Sequence, residues 1–297
     1  MEIKWKEQGA EDEGIINRYY GAEPIRNCEF TFANNLLWSP FYEISYAIVE
    51  GMLVFLSREE EWSVSCPLGQ GSLKQSVDVL TEYFKELGKP FKMHLVSPAQ
   101  FEELEELYPG RFQIEYDRDS ADYVYESERL ISLAGKKLHG KRNHINRFKE
   151  NFPDWSYEKI TDENVAECMA MAEEWKVQNG CLEKGQKHNE FCVTMNALKQ
   201  LKELELQGGL IRAGGRVVAF SIGEPCGTDM FVVHIEKAFA DVQGAYPMIN
   251  QQFVLHEAAD YKYINREEDA GEEGLRKAKL SYDPVFLMEK GLVTEKR

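Results

Sequence analysis

The sequence predicts an α+β protein of two tandem domains, each a mixed, mainly antiparallel sheet flanked by helices. Hydrophobic patterning and turn residues predict two series of elements that follow one another along the chain. Each series has the order β-β-β-α-β-α-β. The chain has 297 residues, of which 43% are apolar. That length exceeds what one hydrophobic core usually organises, so both observations favour two domains over one.

The first series begins with three strand patterns and continues with a helix of clear apolar periodicity. The residues that recur at helical spacing within that helix are Leu73, Val77, Leu80, Phe84 and Leu87. Strands are predicted over 42–49, 52–57, 62–69, 91–97 and 111–116, and helices over 73–88 and 98–108. Gly69 and Gly71 precede the first helix, with Ser72 as its N-cap. They indicate either a phosphate-binding turn or ordinary turn chemistry, and the second interpretation is preferred.

The second series contains the firmest local prediction, a hairpin at Gly214-Gly215. Adjacent glycines permit the positive φ angles that a tight hairpin needs. Two further helices precede this series, one beginning near Thr161 and one over 189–206, with a polar, Gly-rich loop over 178–189 between them. The elements of the series itself are predicted as strands over 209–213, 216–224, 229–235, 261–265 and 284–290 and helices over 246–260 and 272–282.

An uninterrupted basic stretch lies between the two series. From Lys136 to Lys149 six Lys or Arg residues occur without an acidic residue, although the chain has 35 basic and 51 acidic residues and a formal charge of -16. We expect one bridging helix over 128–151, between an N-terminal domain over 1–127 and a C-terminal domain over 152–297. The C-terminal domain is expected to hold the active cleft, because its strand ends and turns carry more polar residues.

Helical periodicity divides the basic residues into two groups. Lys136 and Arg147 fall opposite an apolar stripe, whereas Lys141 and Arg142 flank it and therefore lie near whatever the helix packs against. An unpaired charge there is costly to bury. All four are candidates for binding the phosphates of a donor. The alternatives are a solvated face that pairs with acidic residues and, less favoured, a membrane-surface helix. The stripe consists of Ile131, Ala134, Leu138, Ile145 and Phe148.

Four segments carry a resemblance to a known family: 28–38, 135–148, 234–253 and 263–285. They are similar to the catalytic domain of phosphatidylglycerol lysyltransferases and its soluble relatives, the DUF2156 group. This resemblance implies two tandem GCN5-related acetyltransferase-like domains of the Fem type. It also implies transfer of an acyl group from aminoacyl-tRNA, bound at a local basic patch, to a small-molecule, peptide or lipid head-group acceptor.

Two other functions remain open within the same fold. One is an acyl-CoA-dependent N-acyltransferase, so that acyl-CoA would replace aminoacyl-tRNA as the co-substrate. The other is a non-catalytic module that binds an anionic ligand. No tightly bound cofactor is expected in any of the three cases.

The turn Gln243-Gly244-Ala245 precedes the first helix of the second series. In the acetyltransferase fold, backbone N–H groups at this helix N-terminus hold the pyrophosphate of the donor. The three residues are therefore candidates for donor binding. A single glycine where those enzymes have two or three disfavours ordinary coenzyme A binding and favours the non-catalytic alternative.

Polar residues also follow the penultimate strand of the second series. Asn265, Arg266 and Glu267 leave the end of that strand, where open α/β-type sheets place their ligands. Arg276 and Lys279 are three residues apart and share one face of the final helix. All five are predicted to line the substrate cleft. The alternative for the helix cations is surface pairing with the acidic residues that begin that helix.

Proton transfer needs a base and an acid, for which Glu236 and Tyr282 are the candidates. Glu236 ends the third strand, and the alternative for it is an ion pair with Lys237. Tyr282 resembles by position the tyrosine that protonates the leaving thiolate in many acetyltransferases, and its ordinary pKa of about 10 suits a proton donor. The alternative for Tyr282 is an aromatic side chain that only packs in the core. His234 is predicted to be a core histidine whose ring nitrogens are hydrogen-bonded.

The composition argues against several other classes of protein. The six cysteines form no CxxC pair and no zinc spacing, so reduced, partly buried thiols and no metal site are expected. The acidic balance disfavours a broad nucleic-acid-coating surface. No apolar run reaches the roughly 20 residues of a membrane-spanning helix, and the N-terminus lacks the apolar core of a signal peptide. We therefore expect a cytoplasmic protein.

Overall fold

The chain forms two compact units. The structure, a computed structural model, describes residues 3–20, 27–59, 61–180 and 186–296, without the side chains of 186–188. The first unit consists of Met1–Asp122, Glu268–Gly271 and Met288–Arg297, and the second of Tyr123–Glu267 and Glu272–Leu287. The boundaries of these units differ from the expected domain boundaries at 127 and 151. The C-terminal residues belong to the first unit, and the basic segment lies inside the second.

The elements up to residue 126 contain the first predicted series. They also contain a short N-terminal strand and two early helices. In chain order they are β1 (Lys6–Glu7), α1 (Glu13–Tyr20), α2 (Phe32–Tyr42), β2 (Ser45–Val49), β3 (Met52–Ser57), β4 (Ser63–Ser65), α3 (Leu73–Glu86), β5 (Lys92–Val96), α4 (Pro98–Leu107), β6 (Phe112–Tyr116) and β7 (Asp122–Glu126).

The remaining elements contain the second series and the segments around it. They are α5 (Ser127–Ser132), α6 (His139–Asn151), β8 (Ser156–Lys159), α7 (Val165–Gln178), α8 (Gln186–Lys199), β9 (Gln207–Ala213), β10 (Arg216–Cys226), β11 (Met230–Ala238), α9 (Ala245–Glu257), β12 (Tyr263–Asn265), α10 (Glu273–Leu280), β13 (Phe286–Met288) and β14 (Gly291–Glu295). The loop predicted over 178–189 lies in part outside the described residues.

The sheet of the first unit has the order β1-β2-β3-β4-β5-β14-β6 among the described residues. Its pairs are antiparallel except β4 with β5. The predicted apolar stripe of α3 is buried in the core of this unit from Leu73 to Phe84, whereas Leu87, just past the end of the helix, is exposed. Strand β14 was not predicted, and it lies between β5 and β6. Hydrophobic alternation identifies a strand but not the neighbours it hydrogen-bonds, which are remote in sequence.

Close packing explains the glycines before α3. A Cβ at Gly71 would lie 2.5 Å from the Glu50 carbonyl oxygen, and one at Gly69 would lie 2.7 Å from the Tyr19 ring. Ser72 caps the helix by accepting a hydrogen bond from the Gln75 N–H at 3.3 Å. These contacts support the turn-chemistry interpretation.

The sheet of the second unit has the order β13-β7-β12-β11-β10-β9-β8 among the described residues. The hairpin of β9 and β10 turns at Gly214-Gly215, both with positive φ, so that prediction is confirmed. Strands β11 and β12 run parallel, and α9 packs against β9, β10 and β11. The parallel pair brings the C-terminal ends of β11 and β12 to the same edge of the sheet.

The prediction of a single helix over 128–151 is wrong, because the chain forms two helices there. Helix α5 ends at Ser132, Leu133 adopts a left-handed conformation with φ of 48°, and Gly135 follows with φ of 89°. Helix α6 then begins at His139. Of the predicted apolar stripe, the part on and just before α6 is buried, but Ala134 in the break is exposed. None of the described helices combines the length and apolar content needed to cross a bilayer.

Candidate functional site

A buried polar cluster lies in the second unit, where β11 ends and the chain leaves β12. The Glu236 carboxylate, on β11, accepts a hydrogen bond from Arg266 Nη2 at 2.8 Å and another from Asn250 Nδ2 at 2.9 Å. The Arg266 side chain is 10% exposed, and Asn250, on α9, is 1% exposed. Both carboxylate oxygens therefore have donors, one of them a guanidinium that compensates the negative charge.

Two tyrosine rings form the apolar walls of this cluster. The guanidinium carbon of Arg266 lies 4.7 Å from the centre of the Tyr282 ring and 5.6 Å from that of Tyr125. The two rings meet edge to face with their centres 6.4 Å apart. Tyr282 is 4% exposed, and burial raises its pKa above the ordinary value. Its hydroxyl therefore stays protonated near neutral pH, and its role as proton donor stays a prediction.

Lys141 is the member of the basic stretch that reaches this cluster. It lies in the first turn of α6, partly buried, with its Nζ 4.0 Å from the centre of the Tyr282 ring. Among the described residues it has no hydrogen-bond or ion-pair partner. Burial and the neighbouring Arg266 lower the pKa of Lys141 to about 8, against the opposing effect of Glu236.

Arg142 has a different role from its neighbour. Its guanidinium donates to the carbonyl oxygens of Leu133 and Gly135, the second at 2.9 Å. These carbonyls lie in the break after α5, so Arg142 stabilises the irregular segment between the two helices. The prediction that the flanking cations lie near packed surface is confirmed for both residues. Lys136 and Arg147 are exposed, as their position opposite the stripe predicts.

Three buried polar atoms of the cluster have no hydrogen-bond partner among the described residues. They are Arg266 Nη1, Asn250 Oδ1 and Ser221 Oγ. Ser221 lies directly across from Glu236 in the β10–β11 pair, so its side chain is on the same face of the sheet. Buried polar atoms are normally hydrogen-bonded. An unpaired donor, an unpaired acceptor and an unpaired hydroxyl, which can act as either, around one carboxylate are typical of a site that binds a polar ligand.

The structure thus unites residues that the sequence assigned to three separate sites. Glu236, Arg266, Tyr282 and Lys141 come together, and Lys279 supports them by donating from Nζ to the Arg266 carbonyl oxygen at 2.7 Å. Arg276 is partly exposed, and Asn265 accepts a hydrogen bond from the Glu267 N–H. The sequence analysis missed the cluster residues Tyr125, Ser221 and Asn250. The sequence pattern could have indicated Asn250, because it is a polar residue on the apolar face of a predicted helix.

The expected alternative for Glu236, an ion pair with Lys237, is wrong. Adjacent residues of a strand point to opposite faces of the sheet. Lys237 is 4% exposed, pairs with Glu190 and lies with its Nζ 4.0 Å from the centre of the Trp175 ring. The two charges therefore belong to different environments.

The turn before α9 is held by close packing against α6. Gly244 has φ of 88°, and a Cβ there would lie 2.3 Å from the His144 carbonyl oxygen. The Ala245 N–H donates to the Val242 carbonyl oxygen at 3.1 Å. Pro247, at the third position of the helix, has no N–H. Fewer N–H groups are therefore available to an anion than this turn offers in the acetyltransferase pattern, and its donor-binding role stays a prediction.

Replacing Gly244 by alanine is expected to lower the free energy of unfolding by about 2–4 kcal/mol, because left-handed strain adds to a clash with backbone. Gly214→Ala is the matched control. Its φ is 58°, but a Cβ there would meet nothing within 4 Å, so only the strain of about 1–2 kcal/mol remains. Urea denaturation of both variants checks the difference. Equal losses would contradict the packing role of Gly244.

His234 lies on β11 at a register shift in its pairing with β10 and bridges two carboxylates. Its Nδ1 is 2.7 Å from Glu267 Oε1 and its Nε2 is 3.0 Å from Glu224 Oε1, with the side chain 5% exposed. Burial alone lowers the pKa of His234, but the hydrogen bonds and charges of Glu224 and Glu267 outweigh it and raise the pKa to about 10. The prediction of a satisfied histidine is confirmed.

This imidazolium predicts how stability depends on pH. The folded-state pKa of about 10 exceeds the ordinary 6.5 of the unfolded chain, so the stabilisation is complete below pH 6.5 and is lost as the pH rises towards 10. We expect the free energy of unfolding to fall by about 3 kcal/mol over that interval. The chain with His234→Gln should show a much flatter profile. An equally steep fall in the variant would assign the loss to other groups.

A second buried polar cluster lies in the first unit. Cys28, Glu29, Asp122 and Glu268 offer ligand-type atoms that all lie within 4.8 Å of one another. The Lys290 ammonium lies among them, 2.6 Å from Asp122 Oδ1, 2.5 Å from Glu29 Oε1 and 3.5 Å from Cys28 Sγ. Lys290 therefore supplies the cation that compensates these carboxylates.

The two mainly antiparallel sheets flanked by helices confirm the predicted fold class, two tandem GCN5-related acetyltransferase-like domains. Residues 23–291 match the model of the family described as phosphatidylglycerol lysyltransferase, C-terminal, and the chain belongs to that family. The resemblance carried by the four sequence segments is thereby confirmed.

Individual relatives agree with this assignment. A conserved protein of unknown function from Bacteroides thetaiotaomicron is 38% identical, with a TM-score of 0.95 over 99% of this chain and 100% of that one. L-PGS from Bacillus licheniformis is 14% identical, with a TM-score of 0.66 over 100% and 95%. FemX is 8% identical, with a TM-score of 0.60 over 97% of each chain. The last two likenesses show a shared fold.

A sequence relative extends beyond the matched region. An uncharacterized protein of Mycoplasmoides gallisepticum is 25% identical over 198 residues, which are 62% of this chain and 59% of that protein. The chain therefore matches less than two thirds of that relative's length.

Proposed function

We propose that this protein transfers an aminoacyl group from aminoacyl-tRNA to an amine or hydroxyl acceptor. The observation that carries the proposal is the cluster of Glu236, Arg266 and Lys141, with its three unpartnered polar atoms. The family description as a lysyltransferase and the fold shared with L-PGS and FemX support it. No tightly bound cofactor takes part in this proposal, and the proposed location is cytoplasmic.

Acyl transfer from an ester needs stabilisation of the negative charge that develops on the carbonyl oxygen. Arg266 and Lys141 are the cations of the cluster, and Arg266 Nη1 is a donor with no partner among the described residues. Glu236 holds the guanidinium in place and is itself fixed by the amide of Asn250. The surrounding tyrosine rings exclude water, which strengthens each electrostatic interaction with the reacting group. The cluster thus offers a fixed, desolvated donor pair for an oxyanion.

The exposed cations of α6 and the preceding break supply a surface for the nucleic-acid part of the donor. Lys136 and Arg147 are exposed on the same segment that carries Lys141 into the cluster. In this proposal they contact tRNA phosphates while Lys141 reaches the ester. Because the chain has a formal charge of -16, such a contact is local and weakens steeply as salt rises.

Two other functions share the cluster. A donor of the acyl-CoA type is disfavoured by the turn before α9, where Pro247 and the packing of Gly244 limit the N–H groups available to a pyrophosphate. A non-catalytic module that binds an anionic ligand is favoured by the unpartnered Arg266 Nη1, since that donor serves binding as well as catalysis. One experiment separates the three.

The test combines binding and turnover with the full chain. Retention of radiolabelled total aminoacyl-tRNA on a filter is measured at low and moderate salt, with acetyl-CoA as competitor. Release of the label is then measured with and without added amines, hydroxyl compounds and phosphatidylglycerol vesicles. Salt-sensitive retention that ignores acetyl-CoA, together with accelerated release, supports the proposal. Retention without release favours the binding module, and absence of retention at low salt overturns the proposal.

A matched pair of variants tests the surface contact. Lys136→Ala with Arg147→Ala removes two exposed cations beside the cluster, and Lys85→Ala with Lys89→Ala removes two exposed cations from the first unit. We expect at least a tenfold loss of tRNA retention for the first pair only, because each removed phosphate contact reduces the electrostatic attraction. Equal retention by both pairs would show that the basic segment does not bind the donor.

A further inference from the structure

We infer that Lys141 is the proton acceptor of the reaction, taking the proton from the amine or hydroxyl that attacks the donor ester. This inference rests on the proposed function and deepens it, because it assigns the base of the same site. It also changes the expected role of Glu236 from base to positioning residue.

The position of Lys141 sets it apart from the other cations of the basic segment. Lys137 pairs with Asp283 at 2.8 Å, and Arg142 donates to backbone carbonyl oxygens. Lys136, Arg147 and Lys149 are exposed. Lys141 alone among these six is partly buried against an aromatic ring with no acceptor among the described residues. A lysine without a carboxylate loses its proton far more readily than a paired one.

Burial and Arg266 favour the neutral form of Lys141, and Glu236 alone among the groups named here opposes them. Arg266 faces it from the end of β12 and carries a permanent positive charge. Tyr282 faces it, and Tyr125 lies edge to face with Tyr282; burial raises the pKa of both phenols, so both are neutral. Arg142, beside it on α6, directs its guanidinium to the carbonyl oxygens of Leu133 and Gly135 instead. Glu236 is the one carboxylate of the cluster, and its charge is compensated by Arg266.

The other ionisable groups of the cluster are poor proton acceptors, which leaves Lys141. Arg266 cannot give up a proton in a protein, and the two tyrosines are already protonated. Glu236 accepts a hydrogen bond on each oxygen, from Arg266 and Asn250, so taking up a proton would break an existing contact. A pKa near 8 leaves a useful neutral fraction of Lys141 at cellular pH.

The step conserves atoms and protons. Neutral Lys141 Nζ takes a proton from the acceptor as the acceptor nitrogen or oxygen forms a bond to the ester carbonyl carbon. The ester C–O bond then breaks, and the Lys141 ammonium returns the proton to the departing alcohol oxygen of the donor. No oxidant, metal or further reactant is needed, and Lys141 ends in its starting state.

The test measures release of the label from total aminoacyl-tRNA by the full chain between pH 6 and 9.5, corrected for release without protein. Water serves as the acceptor, and ethanolamine is added in a parallel series. We expect the wild-type rate to rise with pH and to level off above about 8. Lys141→Arg keeps the charge but cannot deprotonate, so its rate should fall by about 10²–10⁴-fold, while filter retention of tRNA stays within about twofold, since no phosphate contact is lost.

Two further variants distinguish a base from a structural cation. Lys141→Ala should lose the rate to the same extent and regain part of it when methylamine is added, with a fold-increase larger than methylamine produces in the wild type, where it acts only as an acceptor. Lys141→Cys alkylated with 2-bromoethylamine restores an amine of lower pKa, and the rising limb should move to lower pH. Identically treated wild type controls for the other cysteines, and thermal melting checks that each variant folds.

The outcomes distinguish failure of the proposed function from failure of the role of Lys141. If the wild type binds tRNA but neither hydrolyses nor transfers the label, the proposed function fails and Lys141 has no reaction to serve. If the wild type turns over and Lys141→Arg keeps both its rate and its rising limb near pH 8, the proposed function stands and the inference about Lys141 is overturned.

Discussion

Replacing Lys290 by methionine is expected to lower the free energy of unfolding of the first unit by about 3–5 kcal/mol. Lys290 is 1% exposed and pairs with Asp122, which is fully buried, and with Glu29. Burial alone opposes the ammonium, but Asp122, Cys28 and Glu29 outweigh it and raise the pKa of Lys290 well above its ordinary value. Methionine fills a similar volume but leaves the Asp122 carboxylate buried without its cation.

The contacts around Lys290 explain why the structure cannot rearrange to recover the stability that Lys290→Met loses. The Cys28 N–H donates to Asp122 Oδ2 at 2.9 Å. The side chains of Thr31 and Asn34 in turn donate to the Cys28 carbonyl oxygen, each at 3.0 Å. Asp122 is therefore fixed from the other side and cannot turn towards water when the ammonium is removed.

Urea denaturation followed by tryptophan fluorescence measures this loss. The double variant Lys290→Met with Asp122→Asn should recover part of the stability, because it removes the uncompensated charge together with its partner. Lys277→Met is the control for losing an exposed lysine, since that side chain is 73% exposed, and a change below about 1 kcal/mol is expected. If Lys290→Met behaves like Lys277→Met, the buried charge network does not stabilise the first unit.

Replacing Arg266 by leucine should reduce acyl transfer by about 10²–10³-fold, comparable to the loss of an oxyanion donor elsewhere. It should also destabilise the second unit by about 3 kcal/mol. The guanidinium is the permanent cation of the cluster, and its removal leaves Glu236 with the amide of Asn250 as its remaining donor. Arg266→Lys keeps the charge but cannot form the same planar fork, so an intermediate loss of activity is expected.

Stability and activity are separated by a second substitution at the same contact. Combining Arg266→Leu with Glu236→Leu removes both buried charges and should restore much of the stability, while acyl transfer stays low. Arg216→Leu is the matched control in the same unit, because its side chain is 51% exposed and pairs at the surface with Glu174. Recovery of activity in the double variant would contradict the role of Arg266 in the reaction.

Local chemistry made much of the fold predictable. The α3 stripe, the Gly214-Gly215 hairpin and the order of strands and helices depend on side chains a few residues apart, so periodicity and turn residues were sufficient. The site was predicted in fragments for the same reason. Glu236, Arg266, Tyr282 and Lys141 each had a local signal, at a strand end, a helix end or a basic stretch, but no local signal joined them.

The residues that were missed depend on contacts between distant parts of the chain. Tyr125 enters the site because β7 joins the sheet of the second unit beside β12. Strand β14 enters the sheet of the first unit beside β5 and β6, and that position brings Lys290 to Asp122. The alternation of apolar residues marks each strand but contains no information about its partner.

The sequence by itself therefore determined the α+β class, the tandem arrangement, the family and the residues with unusual polarity. The tertiary structure alone decided which of the six cations from Lys136 to Lys149 reaches the site. The break after α5 and the packing of α6 on Gly244 carry Lys141 to Tyr282 and Arg266 and leave Lys136 and Arg147 in water. Helical periodicity in the sequence separated Lys141 and Arg142 from the exposed cations, but only the folded chain shows that Lys141 reaches the site while Arg142 binds backbone carbonyl oxygens.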